Sequence, residues 1–153
     1  MASYQEEDLP PNSILRSIFR TGLVTLDDGS KRDVTSVSSP AECVAMYRYL
    51  LQHPADIVIE IGMAYGASAL TILSALEENG RGRIISIDPY FKFDSARRAT
   101  VRAIADSSLS HRHSHMHLPS ELALPQLLAE RISADFVYVD GHHGFDHAFV
   151  DMF

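Results

Sequence analysis

Hydrophobic and polar positions follow two periods along this chain, and the switches between them predict where strands and helices alternate. Residues 56–61 form a nearly continuous apolar run, which is typical of a parallel strand covered on both faces. The pattern predicts further strands over residues 83–87, 113–118 and 135–140. Helical spacing predicts helices between them, over residues 67–78, 95–105 and 122–131. This alternation implies right-handed crossovers, and therefore an open, mostly parallel α/β sheet.

The chain before this alternation has a different character. Residues 1–39 predict a polar tail, a short helix and a small hairpin or extended arm that turns at Asp28-Gly29. The segment Ser39-Pro40-Ala41-Glu42 combines an N-cap serine, a proline at the first helical position and a capping-box glutamate, so a helix starts there. We therefore divide the chain into an N-terminal arm, residues 1–39, and a domain, residues 40–153.

Composition and charge narrow the class of partner. With 153 residues, 46% of them hydrophobic and 22% charged, the chain has the size and composition of one globular domain. The net charge of −7 argues against a nucleic-acid partner, because such binding depends on Lys and Arg contacts with phosphates. Arginines gather between residues 81 and 112, and we interpret them as solvated helix faces rather than as a phosphate-binding patch.

Two further features bear on where the protein works. No apolar run approaches the roughly 18 residues needed to cross a bilayer, and the N-terminus lacks the basic-then-apolar pattern of a signal peptide. Cys43 is the only cysteine, so an intrachain disulfide is excluded, and its helical spacing with apolar neighbours predicts a core position. We therefore expect a cytoplasmic protein with no membrane contact.

Chemistry-bearing residues collect at the predicted carboxyl edge of the sheet. The first apolar strand ends at Glu60-Ile61 and leads into a small-residue turn, residues 62–68, that opens a helix. The second strand ends at Asp88, Ser120 follows the third, and the fourth ends at Asp140. Ligands of open α/β sheets bind at this edge, and a turn with a helix N-terminus offers backbone N–H groups to them. We therefore expect a nucleoside-type cofactor here.

The spacing within the turn limits the kind of nucleoside. Its small residues are Gly62, Ala64 and Gly66, at positions i, i+2 and i+4. A dinucleotide fingerprint has glycines at i, i+2 and i+5, which lets a pyrophosphate rest on the helix N-terminus. The observed spacing therefore disfavours a nicotinamide-dependent dehydrogenase, and the ligand need not carry a pyrophosphate.

The acid-x-Gly-x-x-x-Gly-x-Ser turn from Glu60 to Ser68, followed by Asp88 and Asp140, resembles the class I S-adenosylmethionine-dependent methyltransferases. The resemblance covers roughly residues 40–153 and is nearest to small-molecule, catechol-type O-methyltransferases. It implies a Rossmann-like sheet with strand order 3-2-1-4, S-adenosylmethionine as cofactor and methylation of a hydroxyl on a small-molecule acceptor.

The resemblance also implies which turn residues contact the cofactor. Ser68 would hold the methionine carboxylate. The backbone around Gly62 to Gly66, which includes Ala64, would line the methionine arm, and Glu60 is a further candidate for cofactor binding.

Two residues outside the turn would contact the nucleoside. Asp88 would accept hydrogen bonds from both ribose hydroxyls, which suits the acceptor-only chemistry of a carboxylate. Ser120 would contact adenine. Each has a simpler interpretation, because Asp88-Pro89 is also a turn signal and Ser120 is also a candidate helix cap.

Asp140 and His143 are the candidate catalytic residues, which would act where the methyl group meets the acceptor hydroxyl. In metal-dependent relatives the aspartate at this place binds Mg²⁺ and a lysine three residues later is the base, so the resemblance implies Asp140 as a metal ligand. His143 occupies the lysine offset, and an imidazole with an ordinary pKa near 6.5 suits a base at neutral pH. The alternative is a plain turn built on Asp140-Gly141 with exposed imidazoles.

A second group of histidines alternates along the predicted third strand. They are His111, His113, His115 and His117. Metal ligands must converge on a point, whereas same-face residues of a strand lie about 6–7 Å apart per step. We therefore interpret these histidines as polar side chains of an edge strand, which deter unwanted pairing.

The resemblance stops after the fourth strand, and we therefore expect that the C-terminal half of the methyltransferase fold is missing from this sequence. We expect a truncated chain whose fourth strand is an open edge, and therefore a homo-oligomer formed through that edge. A non-catalytic nucleoside-binding or oligomerisation module derived from a methyltransferase is the alternative function.

Overall fold

The computed structural model describes residues 6–34, 37–89 and 94–141. Helix α1, Ser13–Thr21, begins at Asn12, whose side chain accepts hydrogen bonds from the backbone N–H groups of Ile14 and Leu15. Strands β1, Leu23–Thr25, and β2, Lys31–Asp33, pair antiparallel as the predicted hairpin. The short helix and the hairpin of the arm therefore form as the local sequence predicts.

Helices and parallel strands alternate through the rest of the described chain. Helix α2, Pro40–Gln52, starts with the predicted capping box, in which Ser39 and Glu42 bond each other's backbone N–H groups. The elements that follow are β3 (Ile57–Ile61), α3 (Ala67–Glu78), β4 (Arg83–Ile87), α4 (Asp94–Asp106), β5 (His113–Met116), α5 (Ser120–Ala129) and β6 (Phe136–Val139).

The main sheet is parallel throughout and has the order β5-β4-β3-β6. This is the predicted 3-2-1-4 order, and it confirms that the histidine-containing strand lies at an edge. Because β3 is central, its carboxyl end is flanked by the ends of β4 and β6. The residues that follow these strands are therefore brought to one edge of the sheet.

Apolar side chains cover both faces of the sheet. On one face, Val58 and Ile84 pack in a core cluster with helices α1 to α4, to which α1 contributes Leu15 and Ile18. On the other face a smaller cluster joins the isoleucines of β3 and β4 to α5. The apolar run of β3 is buried on both sides, as its sequence predicts.

Two predicted boundaries are wrong. Helix α5 begins at Ser120 rather than Leu122, because the carbonyl of Pro119 accepts the first N–H groups of the helix and its backbone is extended. Ser120 is therefore not the cap, and Pro125 lies in the helix interior. Strand β5 is also shorter than predicted, because it ends at Met116 and leaves His117 beyond it. His111 precedes the strand, in a 3₁₀ turn over residues 110–112.

The interpretation of the clustered arginines as helix faces is right for Arg97, Arg98 and Arg102, which lie on α4, and wrong for the others, which lie outside the α-helices. Most of the clustered arginines pair with carboxylates: Arg81 with Asp56, Arg97 with Asp94, Arg98 with Asp27 and Asp28, Arg102 with Asp106, and Arg112 with Glu77. Cys43 is fully buried, and this burial raises the pKa of its thiol to about 11. Across the described residues, no helix has the length and apolar character needed to span a membrane.

Candidate functional site

The turn after β3 has backbone conformations that alternate between ordinary and left-handed. Gly62, Ala64 and Gly66 have φ angles of 87°, 41° and 84°. Successive amides in such an alternating segment point inward and form a concave binding place for an anion or another acceptor. A Cβ atom on Gly62 would lie 2.3 Å from the carbonyl oxygen of Asp140, so no side chain fits where the ends of β3 and β6 meet.

The carboxylate of Asp88 reaches this turn. Its Oδ2 atom accepts hydrogen bonds from the backbone N–H groups of Met63, at 2.8 Å, and Ala64, at 3.1 Å. Asp88 follows the last residue of β4, and its own N–H donates to the carbonyl of Met116 at 3.2 Å. The acid at the tip of the second parallel strand and the small-residue turn after the first therefore form one structural unit, as the sequence predicts.

Helix α4 holds the turn from the other side through Thr100. The Thr100 hydroxyl donates to the carbonyl oxygen of Ala64 at 2.7 Å, and the residue is fully buried. A Cβ atom on Gly66 would lie 2.7 Å from the Thr100 methyl group, so this contact also selects glycine. Sequence reasoning missed Thr100, because nothing in its local pattern distinguishes it from other helix residues.

Glu60 lies beneath the turn and is completely buried. Its Oε1 accepts a hydrogen bond from the Ser68 hydroxyl at 2.5 Å, and its Oε2 accepts one from the Ser86 hydroxyl at 2.6 Å. Burial raises the pKa of Glu60 to about 7, the two serine bonds oppose the rise, and the charges of Asp88 and Asp140 add to it. A carboxyl group that changes charge near neutral pH therefore sits directly behind Ser68.

Two of the strand β5 histidines point toward this region. His113 Nε2 lies 3.1 Å from the Ser86 hydroxyl, and burial lowers the pKa of His113 to about 4. His115 Nε2 lies 2.8 Å from the carbonyl oxygen of Asp88, and burial also lowers its pKa. The edge position was predicted, but these contacts were not.

The remaining predicted residues lie around the same edge or outside the described chain. Asp140 follows β6, is exposed, and donates its N–H to the carbonyl of Ile61 at 2.8 Å. Ser120 is partly exposed in the first turn of α5. His143 lies outside the described residues. In the described part of the chain no group of three or more His, Cys, Asp or Glu side chains is placed to hold a metal ion.

A family profile described as a methyltransferase domain matches residues 59–153, more than half of the chain. The chain belongs to this methyltransferase family. The match begins within β3 and includes the turn, Asp88 and Asp140, so the structural unit described above lies inside the matched range. Among curated proteins, none matches the sequence.

Solved methyltransferase structures share the fold. An S-adenosylhomocysteine-bound methyltransferase of Podospora anserina, PaMTH1, aligns with a TM-score of 0.64 at 19% identity, over 76% of this chain and 47% of its own. An O-methyltransferase from Bacillus cereus in complex with S-adenosylhomocysteine aligns with a TM-score of 0.60 at 19% identity, over 71% and 47%.

A third example is the O-methyltransferase TomG of Streptomyces achromogenes, involved in tomaymycin synthesis and solved with S-adenosylmethionine. It aligns with a TM-score of 0.54 at 21% identity, over 68% of this chain and 45% of its own. At these identities the likeness establishes the fold. The chain spans about half the length of the methyltransferases that it matches.

Proposed function

We propose that the chain binds S-adenosylmethionine at the carboxyl edge of its sheet and transfers the methyl group to a hydroxyl of a small-molecule acceptor. The observation that supports this most directly is the pair of hydrogen bonds from the Met63 and Ala64 N–H groups to Asp88. These bonds bring a carboxylate, a concave run of amides and the start of α3 together. The family match and the cofactors named for the similar structures support the same ligand.

The described residues suit the parts of this ligand. Asp88 is fixed by the turn, and a fixed carboxylate is a good acceptor for a ribose diol. Helix α3 begins at Gly66 without a side-chain cap, so its first N–H groups are available to the methionine carboxylate beside Ser68. The turn from Gly62 to Gly66, which follows Glu60, would line the methionine arm, and Ser120 would contact adenine.

Bound S-adenosylmethionine would supply a methyl group on a positively charged sulfur. The acceptor oxygen forms a bond to that methyl carbon as the sulfur–carbon bond breaks, and the hydroxyl proton passes to a base. We propose Asp140 and His143 for the proton transfer. Among the described residues no group of three or more His, Cys, Asp or Glu side chains is placed to hold a metal ion, so the proposal does not include Mg²⁺.

The test has two stages. Titration calorimetry of the chain with S-adenosylhomocysteine is expected to show saturable binding, and NADH is expected to show none. Methyl transfer to a panel of phenols and sugars then follows with labelled S-adenosylmethionine. Binding without transfer would favour the non-catalytic nucleoside-binding module, and binding of NADH alone would overturn the proposal.

We also propose that the chain self-associates along β6. Within the described residues β6 pairs with β3 alone, and Val137 and Val139 remain 47% and 39% exposed. Light scattering at high micromolar concentration is expected to show a dimer, and Val137→Lys is expected to weaken it because a charged edge resists pairing. A monomer at that concentration would contradict this.

A further inference from the structure

A chain of hydrogen bonds crosses the sheet from its edge strand to helix α3. It runs from His113 on β5 to Ser86 on β4, at 3.1 Å, and from Ser86 to Glu60 on β3, at 2.6 Å. It ends at Ser68 on α3, whose hydroxyl donates to Glu60 at 2.5 Å. Glu60 and Ser86 are fully buried and Ser68 is 4% exposed. Glu60, Ser86 and Ser68 are therefore shielded from water, whereas His113 on the edge strand is partly exposed.

The direction of each bond follows from the number of protons available. Ser86 has one hydroxyl proton and gives it to Oε2 of Glu60, so its lone pairs must accept the bond from His113. Because burial lowers the pKa of His113 to about 4, its ring is neutral near pH 7 and Nε2 carries the donated proton. Oε2 is thus satisfied from the sheet side. An added proton on Glu60 belongs on Oε1, which faces Ser68.

The surroundings of Glu60 are acidic or neutral. Asp88 and Asp140, at the ends of the flanking strands, both raise its pKa. From α2 the neighbouring titratable group is the buried thiol of Cys43, and from β6 it is Tyr138, which is in register with Glu60. Among the described residues no Arg or Lys pairs with the Glu60 carboxylate. A ligand carboxylate that Ser68 itself binds would lie nearer to Glu60 than the ligand's ammonium group, and would therefore disfavour the charged form of Glu60.

We propose that Glu60 is a positioning residue that takes up one proton when the carboxylate of an S-adenosyl amino acid binds at the start of α3. This inference rests on the proposed function. One proton moves from solvent to Oε1 of Glu60, which then donates to the Ser68 oxygen. The Ser68 proton, no longer given to Glu60, turns outward and donates to the ligand carboxylate. No bond between heavier atoms is made or broken.

The test is calorimetry with S-adenosylhomocysteine near pH 8 in two buffers whose ionisation enthalpies differ. The difference in heat gives the number of protons taken up, and we expect close to one for the wild-type chain. Glu60→Gln is expected to take up almost none, because its amide group donates to Ser68 permanently and carries no charge. Glu130→Gln, an exposed change on the far end of α5, is the matched control and should behave as wild type.

The pH dependence of affinity gives a second readout. Above about pH 7 the wild-type chain is expected to lose up to about tenfold in affinity per pH unit, because binding must then recruit a proton. Glu60→Gln should lose much less, because it has no carboxylate to protonate. Methylthioadenosine lacks the amino-acid carboxylate, so its binding is expected to take up no proton.

The outcomes separate this inference from the proposed function. Binding of S-adenosylhomocysteine by the wild-type chain without proton uptake overturns the inference and leaves the function intact. Uptake that persists in Glu60→Gln also overturns it, because another group then carries the proton. Absence of binding overturns both. If Glu60→Gln does not fold, the two-buffer measurement on the wild-type chain with the two ligands decides alone.

Discussion

Gly62 is the residue whose lack of a side chain matters most for the geometry of the candidate site. Its φ of 87° is strained for any residue with a side chain, and the carbonyl of Asp140 occupies the space that a Cβ would need. The ends of β3 and β6 can approach each other only because this side chain is absent. The two N–H groups that follow it, of Met63 and Ala64, donate to Asp88.

Gly62→Ala is therefore expected to destabilise the protein by about 3 kcal/mol or more, from backbone strain together with overpacking. Gly22→Ala is the matched control, because Gly22 also has a positive φ, of 67°, but its Cβ would meet nothing within 4 Å. The control should cost about 1 kcal/mol. Urea denaturation measures both. Equal costs would mean that the contact with Asp140 is unimportant.

Asp88→Asn should weaken S-adenosylhomocysteine binding by about tenfold or more, because a charged acceptor for both the turn amides and the ribose is replaced by a neutral one. Asp94→Asn, an exposed change at the start of α4, should leave affinity unchanged. Calorimetry gives both dissociation constants. Unchanged affinity in Asp88→Asn would exclude a role for this carboxylate in binding.

At the scale of elements, local signals account for most of what the sequence predicts correctly. The capping box at Ser39, the hairpin turn at Asp28-Gly29 and the apolar run of β3 each depend on a few adjacent residues. The start of α5 was missed because its polar first turn shows no apolar period, so only Leu122 marked the helix. Signals confined to a window of residues cannot show which carbonyl accepts the first N–H groups.

Ser39→Ala tests the capping box. It removes the hydroxyl that accepts the Glu42 N–H, and it should lower the free energy of unfolding by about 1 kcal/mol. Ser133→Ala, at an exposed loop position, is the control and should change it by less than about 0.5 kcal/mol. Thermal unfolding followed by circular dichroism compares the two. A Ser39→Ala variant as stable as the control would show that the cap is redundant.

For the whole molecule, buried Glu60 and partly buried His113, which are linked through Ser86, make stability depend on pH in opposite directions. The pKa of Glu60 is raised from 4.5 to about 7, so its contribution to stability is present below pH 4.5 and is lost as pH rises through 7. The pKa of His113 is lowered from 6.5 to about 4, so its contribution is present above pH 6.5 and is lost as pH falls through 4. The two effects largely cancel between these limits.

Glu60→Gln removes the contribution of Glu60 to the pH dependence of stability and leaves that of His113. Relative to wild type, its free energy of unfolding should improve by about 2–3 kcal/mol between pH 5 and pH 8, because it no longer carries the buried charge. Urea midpoints at several pH values measure the difference. A difference that stays constant with pH would mean that Glu60 does not titrate in this range.

Only part of the site could be predicted from the sequence, because some of its contacts join residues that are far apart along the chain. Glu60, Asp88 and the turn were found because strand ends share one edge of a parallel sheet. Ser86, Thr100 and His113 were not, because their contacts depend on strand register and helix placement that no local pattern encodes. His143 stays a prediction, since it lies outside the described residues.

The central place of β3 also has a consequence for how the chain folds during synthesis. Its neighbour β4 follows soon after it, but its other neighbour is β6, and Asp135 caps the amides of Asp56 and Ile57 from 79 and 78 residues away. One side of this apolar strand therefore stays unpaired while the ribosome makes α3 through α5. That interval is when the nascent chain is most exposed to misassembly, and when a chaperone would matter most.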